Sequence, residues 1–268
     1  MCRLVAYQGE PTFLDALVCA PRHSLVEQSL RAAQAKTVTN GDGFGIGWYG
    51  ERPEPCVYRE VMPAWSDENL LALCASIRSG LFFAHVRAAT GGGISRHNCH
   101  PFRRGRWMFM HNGQIGGFGQ VRRALESKLP DHLYAARQGA TDSELLFLLA
   151  LARIEQQGQP PDEAMCAVLG DTLRLMQGQG VDQPLRFAAV LADGQSLLAF
   201  RFASDNHPPT LYTGRTSDGT VVASEPLDGG SRQWRLIPPN SLVRVEAGRA
   251  LRARPIRLSN PQDRTVAA

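Results

Sequence analysis

The 268-residue sequence contains no apolar run of the roughly 18 residues that a membrane-spanning helix requires. It also lacks, near its start, the apolar segment typical of a secretory signal. Lys and Arg form no dense run and are not interleaved with aromatic residues, which argues against a nucleic-acid partner. We therefore expect a cytoplasmic protein that binds neither membranes nor nucleic acid.

Closely spaced cysteines are missing as well, since no CxxC pair occurs in the chain. The six cysteines stand at wide and irregular intervals: Cys2, Cys19, Cys56, Cys74, Cys99 and Cys166. Without an export signal, this spacing is typical of free thiols in a reducing cytoplasm. It gives little support to a structural metal site, and we expect neither a metal nor a cofactor.

The length and the order of the predicted elements indicate one domain. A chain of this size can bury a large core, and its net charge of +4 is small. The sequence shows no linker and no internal repeat. Helices are predicted in the middle of the chain and strands on both sides of it. We therefore expect a single α+β domain over residues 1–268, with sheets built from both ends of the chain and residues 259–268 forming a loose polar tail.

Apolar patterns and turn signals place the individual elements. Longer strands are predicted at Leu4–Tyr7, Val57–Val61, Leu81–Arg87, Trp107–Met110, Leu185–Leu191 and Ser196–Ala203. Shorter ones are predicted at Leu211–Thr213, Val221–Ser224, Arg235–Ile237, Leu242–Val245 and Leu251–Arg254. Helices are predicted over Phe13–Cys19, after the N-cap Ser24, from the N-cap Ser66 to Ile77, over Gln120–Lys128, after the N-cap Thr141, and from Pro160 to Met176. Asp193-Gly194 predicts a hairpin.

Glycines alternate with larger residues within Asn40–Tyr49, where the chain is predicted to enter a strand. A phosphate-binding loop is one interpretation, but no Lys-Ser/Thr pair follows and no helix begins there. In a strand, alternate glycines leave one face open to a second backbone or to a ligand. We therefore expect a closely packed strand beside a pocket.

Cys2 is a candidate nucleophile. If Met1 is removed, Cys2 carries a thiol and a free α-amine on the same residue. Their ordinary pKa values, about 8.5 and about 7.7–8.0, are close enough for the amine to accept the thiol proton as sulfur attacks a carbonyl. Since a lone cysteine is more commonly an ordinary buried side chain, the assignment depends on other groups in the chain.

Cleavage of an amide bond in an amino-acid side chain requires three further kinds of group. Arg87 follows a predicted strand, and its guanidinium suits a carboxylate, although most such arginines are surface charges. Asn112 and Gly113 offer an amide N–H₂ and a backbone N–H to an oxyanion, or else form a plain Asn-Gly turn. Asp142 lies in the first turn of a predicted helix, where it is either favoured by the helix dipole alone or anchors an ammonium group.

Taken together, these groups resemble the glutaminase domain of the class II glutamine amidotransferases, which are N-terminal-nucleophile hydrolases. The motifs that carry the resemblance are Met1-Cys2, His85–Thr90, Asn98–Pro101, His111–Gly113 and Thr141–Glu144. The resemblance implies a four-layer αββα sandwich. It implies Cys2 as the nucleophile, with Asn112 and Gly113 as the oxyanion hole. It further implies that the substrate carboxylate binds to Arg87 and Thr90, and the substrate amino group to Asp142.

The sequence departs from many family members at Ala88 and Gly91, where they carry a bulky aromatic residue and a His. These small residues imply a wider pocket mouth. The segments Asn40–Gly45, Pro63–Trp65, Phe83–Ala88 and Ala223–Leu227 resemble a stand-alone subgroup. That subgroup includes the γ-glutamyl hydrolase of ergothioneine biosynthesis and the amidotransferase-like subunit of the fungal glutathione-degrading complex. The resemblance therefore implies hydrolysis of a γ-glutamyl amide bond in glutamine or in a larger small molecule.

Two alternatives stay open at this point. The chain could be an ammonia-supplying glutaminase subunit of a separate synthetase, or could act with a peptidase subunit. It could instead be a non-catalytic or metal-binding module that uses Cys2, Cys99, His97 and His100, although zinc sites favour closer Cys pairs. We expect His97 and His100 to shape a loop. We expect His85 and His111 to be structural, because the α-amine already supplies a base.

Overall fold

Two antiparallel sheets form the centre of the computed structural model, which describes residues 2–34, 39–89, 93–228, 234–246 and 249–258. The strands in these residues are β1 Arg3–Phe13, β2 Phe44–Trp48, β3 Cys56–Glu60, β4 Arg78–Val86, β5 Phe102–Arg104, β6 Trp107–Gln114, β7 Arg186–Ala192, β8 Leu197–Ala203, β9 Tyr212–Arg215, β10 Gly219–Ala223, β11 Arg235–Leu236, β12 Ser241–Val245 and β13 Ala253–Pro255. The α-helices are α1 Asp15–Val18, α2 Leu25–Leu30, α3 Glu68–Ser76, α4 Phe118–Glu126, α5 Asp131–Tyr134, α6 Asp142–Gln157 and α7 Pro161–Gly178.

The first sheet has the strand order β11-β9-β10-β1-β4-β2-β3, and the second has the order β13-β12-β8-β7-β6-β5. The centre of the first sheet therefore joins β1 to β10, a strand from the other end of the chain. The second sheet likewise joins the middle of the chain, through β6, to the late strands β7, β8 and β12. This confirms the expectation that both ends of the chain build the sheets.

Alternation along the strands shows how the sheets stack. In β1, Leu4 belongs to an apolar cluster shared by the two sheets, whereas Val5 belongs to a cluster shared with α1, α2 and α3. In β7, Val190 belongs to the cluster between the sheets, whereas Phe187 packs with α4, α6 and α7. Because neighbouring side chains of a strand point to opposite faces, both sheets are buried on both faces. The layers are helices, sheet, sheet and helices, which confirms the predicted αββα sandwich.

Glycines of β2 allow the second sheet and its loops to approach closely. A Cβ on Gly45 would lie 2.2 Å from the carbonyl oxygen of His100, and a Cβ on Gly47 would lie 2.4 Å from Sδ of Met108. Both distances are far shorter than atoms allow, so only a hydrogen fits at these two positions. The expectation of a closely packed strand beside a pocket is confirmed, because His100 also borders the cavity described below.

Two of the predicted helix caps are confirmed and one is wrong. The hydroxyls of Ser24 and Thr141 each accept a backbone N–H three residues further on, from Glu27 and Glu144, both over 3.2 Å. The cap of α3 is Asp67, whose Oδ1 accepts the N–H of Leu70 over 2.8 Å. The predicted cap Ser66 instead ends a short 3₁₀ turn, where its hydroxyl donates to the Pro63 carbonyl. Asp is as favourable at an N-cap as Ser, and the Ser66 hydroxyl is already bonded within the turn. Asp67 therefore caps the helix.

The strand predicted at Trp107–Met110 is too short. In the structure β6 continues to Gln114, and His111, Asn112 and Gly113 pair with Ala189, Ala188 and Phe187 of β7. The interpretation of Asn112-Gly113 as a turn is therefore wrong. The apolar pattern stops at Met110 because His111 and Asn112 are polar. Both residues are nevertheless buried within the strand.

The predicted hairpin between β7 and β8 is confirmed, with Ala192 opposite Leu197. The short elements β5 and α5 have no counterpart among the predictions. No helix in the described part of the chain is long and apolar enough to cross a membrane. The predicted loose tail at residues 259–268 lies outside the described residues, and the single domain over residues 1–268 stays a prediction.

Candidate active site

Cys2 lies directly before β1, in the middle of the first sheet. On one side, Arg3 and Leu4 pair with Val86 and His85 of β4. On the other side, β1 pairs with β10. Since Leu4 faces the second sheet, alternation places the Cys2 side chain on the same inner face. A pair of strands therefore holds the predicted nucleophile in place.

The thiol of Cys2 contacts the chain just beyond β4. The N–H of Ala88 donates to Sγ over 3.4 Å, and the Ala88 carbonyl oxygen lies 3.5 Å from Sγ. Burial raises the pKa of the Cys2 thiol, and the Ala88 N–H and the charges of Arg87 and Arg3 offset only part of that rise. The thiol is therefore protonated at neutral pH, and a role as nucleophile would require a base to accept its proton first.

Arg87 follows β4 and is buried, with 4% of its surface exposed. Its Nη2 donates to the Gly93 carbonyl over 3.0 Å. Two residues on, the N–H of Ala89 donates to the Asp42 carboxylate over 2.8 Å. These contacts fix the segment that carries the guanidinium. Arg87 is not a plain surface charge, because it borders the cavity that also contains the Cys2 thiol.

Asn112 and His85 face each other from the two sheets. His85 lies two residues after Phe83 on the inner face of β4, and Asn112 lies two residues after Met110 on the inner face of β6. Nε2 of His85 lies 3.1 Å from Oδ1 of Asn112, and both side chains are buried. Burial lowers the pKa of His85 to about 3, so the ring is neutral. Nδ2 of Asn112 is buried and has no hydrogen-bond partner among the described residues.

Gly113 follows Asn112 in β6 and has a φ of +148°. A Cβ at this position would lie 1.9 Å from the Arg186 carbonyl oxygen of β7. No side chain fits there, so the backbone of Gly113 itself forms part of the cavity wall. With no side chain in the way, a small ligand in the cavity can approach the Gly113 backbone.

Asp142 is the first residue of α6, where the helix dipole favours a negative charge. Its Oδ2 accepts the N–H of Ile115, and its Oδ1 accepts the N–H of Ser143, each over 2.8 Å. The Ser143 hydroxyl lies 2.8 Å from Nδ1 of His111, which ties the start of α6 to β6. The carboxylate is therefore fixed at the cavity before any ligand binds.

A cavity of about 170 Å³, here called the Cys2 cavity, lies where these elements meet. Its lining includes Cys2, Arg87, Gly113 and Asp142, so four of the six predicted site residues are brought together. Asn112 is not among the lining residues, although it adjoins Gly113, and Thr90 lies outside the described residues. The cavity offers a thiol, a cation and an anion to one small ligand. It is smaller than the roughly 300 Å³ at which pockets for drug-sized ligands begin.

Comparison with known proteins identifies the family. Residues 16–208, which are most of the chain, match the family model described as class-II glutamine amidotransferases. The chain belongs to this family. It is therefore an enzyme of the class II glutamine amidotransferase type, and the resemblance seen in the sequence is confirmed.

Three relatives of this class II amidotransferase are informative. The probable glutamine amidotransferase DUG3 of Saccharomyces cerevisiae is 31% identical over 293 residues, which cover 92% of this chain and 82% of DUG3. The gamma-glutamyl-hercynylcysteine sulfoxide hydrolase of Mycolicibacterium smegmatis is 30% identical over 247 residues, 91% of this chain and 96% of the relative. A solved glutamine aminotransferase class-II domain protein from Silicibacter pomeroyi has a TM-score of 0.76 and 34% identity, and the alignment covers 97% of this chain and 100% of that protein.

The structure gives this amidotransferase site residues that the sequence did not assign. His100 was expected to shape a loop, but it lines the Cys2 cavity. The centroid of its ring lies 4.2 Å from the centroid of the His85 ring. Burial keeps the pKa of His100 well below its ordinary value, so its ring is neutral. Ser143 links His111 to Asp142. The signal available in the sequence is that each residue belongs to a motif already quoted, His100 to Asn98–Pro101 and Ser143 to Thr141–Glu144.

The metal-binding alternative gains no support from the part of the chain that the structure describes. No group of three or more His, Cys, Asp or Glu side chains there is arranged to hold a metal ion. His97 is exposed, whereas His100 is buried in the cavity wall. The two residues therefore do not present their rings to one common site.

Proposed function

We propose that this amidotransferase hydrolyses the γ-glutamyl amide bond of a small molecule, with Cys2 as the nucleophile. The observation that carries the proposal is the Cys2 cavity, which combines a thiol with Arg87 and Asp142. The two charges suit the α-carboxylate and the α-ammonium of a γ-glutamyl group. One relative is named a gamma-glutamyl-hercynylcysteine sulfoxide hydrolase and another a probable glutamine amidotransferase, and both names agree with this chemistry.

The reaction begins with a proton transfer. Removal of Met1, which lies outside the described residues, frees the α-amine of Cys2. The amine accepts the thiol proton while Sγ forms a bond to the δ-carbon of the substrate. Nδ2 of Asn112 and the N–H of Gly113 donate to the oxyanion. The amine then returns the proton to the leaving nitrogen as the C–N bond breaks, and a γ-glutamyl thioester remains on Cys2. Water attacks the thioester and releases glutamate and the free thiol.

The binding groups act at a distance from the bond that breaks. Arg87, together with Thr90 outside the described residues, binds the α-carboxylate, and Asp142 binds the α-ammonium. Fixing this end of the substrate places the δ-carbonyl next to Sγ and so removes much of the entropic cost of reaction. The small side chain of Ala88 lines the cavity close to Sγ, which supports a leaving group larger than ammonia.

A substrate panel tests this function. The rate of glutamate release is measured with L-glutamine, with γ-glutamylcysteine and with the matched α-glutamyl dipeptide. We expect kcat/KM for γ-glutamylcysteine to exceed that for the α-linked isomer by at least about 100-fold, because the isomer does not pair with both Arg87 and Asp142 of the cavity. Absence of glutamate release from both glutamine and γ-glutamylcysteine would contradict the proposal.

The same substrate panel also tests whether the chain needs a partner protein for its activity. We propose that the purified chain is active alone and that its partner is the small-molecule substrate. One relative cited above is named a hydrolase, which agrees with an activity of its own. Glutaminase activity that rises sharply only after a synthetase or peptidase chain is added would favour the subunit role instead.

We infer that the protein works in the cytoplasm. All six cysteines lie in the described residues and are unpaired. Such thiols stay reduced in a reducing compartment. Titration of acid-quenched, denatured protein from its host cell should therefore give six thiols per chain. A substantially lower number would contradict this inference.

A further inference from the structure

We propose that His85 is a positioning residue, which holds the side-chain amide of Asn112 so that its nitrogen faces the oxyanion. The proposal rests on the function proposed above and adds a residue to it. Its basis is the 3.1 Å contact between Nε2 of His85 and Oδ1 of Asn112, in a place where the two side chains are 0% and 1% exposed.

The orientation of the amide decides whether Asn112 helps or hinders the reaction. An asparagine amide has a donor end and an acceptor end of nearly the same size. With the nitrogen toward the substrate, two N–H groups are available to a developing oxyanion. With the oxygen toward the substrate, a partial negative charge would oppose it. Something outside the substrate must therefore select the first orientation.

The neutral ring of His85 can make this selection. A neutral imidazole donates from one nitrogen and accepts at the other. When the proton is on Nε2, the ring donates to Oδ1 of Asn112 and fixes the oxygen end of the amide against β4. The carbonyl oxygen cannot then turn toward the cavity without losing a buried hydrogen bond. Since burial holds the pKa of His85 at about 3, this contact keeps one protonation state over the working pH range.

The other end of the amide supplies an independent observation. Nδ2 of Asn112 is buried and has no hydrogen-bond partner among the described residues. A buried donor without an acceptor is unfavourable, so a folded protein that keeps one usually has a use for it. The adjoining Gly113 lines the Cys2 cavity, which places the unpartnered nitrogen one residue from the site of reaction.

The wall around His85 supports a fixed ring. The His85 and His100 rings have centroids 4.2 Å apart, and the ring of Phe102 meets His100 edge-on at 4.6 Å. His85 also lies in β4, paired with Leu4 on one side and with Gly45 on the other. The imidazole therefore has little freedom to turn away from Asn112. Leucine fills a similar space without a donor, and glutamine provides a donor, so both substitutions are informative.

A double-mutant cycle tests the proposal. The values of kcat and KM are measured on γ-glutamylcysteine for the wild type, H85L, N112A and the double variant. We expect N112A to lower kcat by about 100- to 1,000-fold, the usual loss for an oxyanion donor. We expect H85L to lower kcat by about 10- to 100-fold, with KM changed little, and H85Q to recover much of that loss. In the N112A background, H85L should have almost no further effect, because the group it positions is absent.

Two readouts separate positioning from simple damage. Alkylation of Cys2 by iodoacetamide needs no oxyanion hole, so H85L should keep the wild-type alkylation rate. The variant L169A, in α7, loses core volume away from the Cys2 cavity, and it shows how far reduced stability alone lowers kcat. If H85L folds poorly, H85Q is compared with the wild type and with N112A/H85Q in the same way.

The outcomes are distinct. Multiplicative losses in the double variant, or a parallel fall in the alkylation rate, would show that His85 does not act through Asn112 and would overturn the inference alone. A wild type that releases no glutamate from any γ-glutamyl substrate would overturn the proposed function and this inference together. Non-additive losses with normal alkylation support the assignment.

Discussion

Replacement of Cys2 by alanine is expected to lower the rate of γ-glutamyl hydrolysis by roughly 10⁴- to 10⁶-fold, as for other essential nucleophiles. In the proposed mechanism the thiol forms the covalent bond to the substrate, and no other described side chain that lines the Cys2 cavity is a comparable nucleophile in a similar position. Ser143 also lines the cavity, but its hydroxyl is engaged by His111 and Asp142. The expected loss is measured as glutamate release, with thermal unfolding as a control for folding.

The state of the α-amine can be tested separately from the thiol. The wild type is produced behind an affinity tag whose protease site, when cut, leaves Cys2 as the first residue. We expect the tagged protein to be nearly inactive and the cleaved protein to be active, because only the second has a free amine to accept the thiol proton. The tagged C2A variant, cut in the same way, is the matched control. Full activity of protein shown by mass spectrometry to retain Met1 would contradict the assignment of the amine as the base.

Replacement of Glu225 by alanine is expected to lower the free energy of unfolding by about 3–5 kcal/mol, because it removes the buried carboxylate that faces the Arg3 guanidinium and accepts several further hydrogen bonds. The Glu225 carboxylate forms an ion pair with Arg3 at 2.8 Å, and both side chains are 1% exposed. It also accepts the N–H groups of Ala33 and Gln34 over 3.0 and 2.8 Å, and it lies 2.9 Å from Nε2 of His23. One carboxylate thus joins the residue after Cys2 to the chain that follows α2.

Urea unfolding monitored by circular dichroism measures this loss. The exposed Glu54 provides the control, since E54A should change the free energy of unfolding by no more than about 0.5 kcal/mol. The double variant R3M/E225L should recover a large part of the loss, because it removes both buried charges together. A loss below about 1 kcal/mol for E225A, or no recovery in the double variant, would contradict the role assigned to this ion pair.

The ion pair should also appear in the pH dependence of stability. Burial by itself would raise the pKa of Glu225, but the hydrogen bonds from His23 and Gln34 and the charge of Arg3 lower it below its ordinary value. A carboxylate with a lowered pKa stabilises the folded state fully above its unfolded pKa of about 4.3. That contribution is lost as the pH falls through the folded pKa. The stability of the wild type should therefore fall more steeply than that of E225A below about pH 4.

The fold was predictable from the sequence where pattern and local chemistry agree. The apolar run Leu4–Tyr7 predicts the core of β1, and Thr141 with Glu144 predicts the start of α6. The prediction at Ser66 failed because the neighbouring Asp67 is an equally good cap, and only the turn at Pro63 decides between them. Local rules cannot choose between two adjacent caps.

The site was predictable in part for a different reason. Cys2, Arg87 and Asp142 carry groups whose chemistry is evident from the residue type, and a family resemblance supplied their order. The contact between His85 and Asn112 could not be predicted, because it depends on how two separate sheets face each other. Alternation fixes which face of a strand a residue occupies, but not which residue of the other sheet lies opposite.

The position of β1 between β4 and β10 has a consequence for the order in which the molecule folds. The N–H of Leu4 donates to the Ser224 hydroxyl, 220 residues away in sequence, and the N–H of Ala88 reaches Sγ of Cys2 from 86 residues away. Contacts of such separation close large loops and form slowly compared with helices and hairpins. Catalytic competence is therefore a late event in folding, and during refolding the activity of the enzyme should return after its helices have formed.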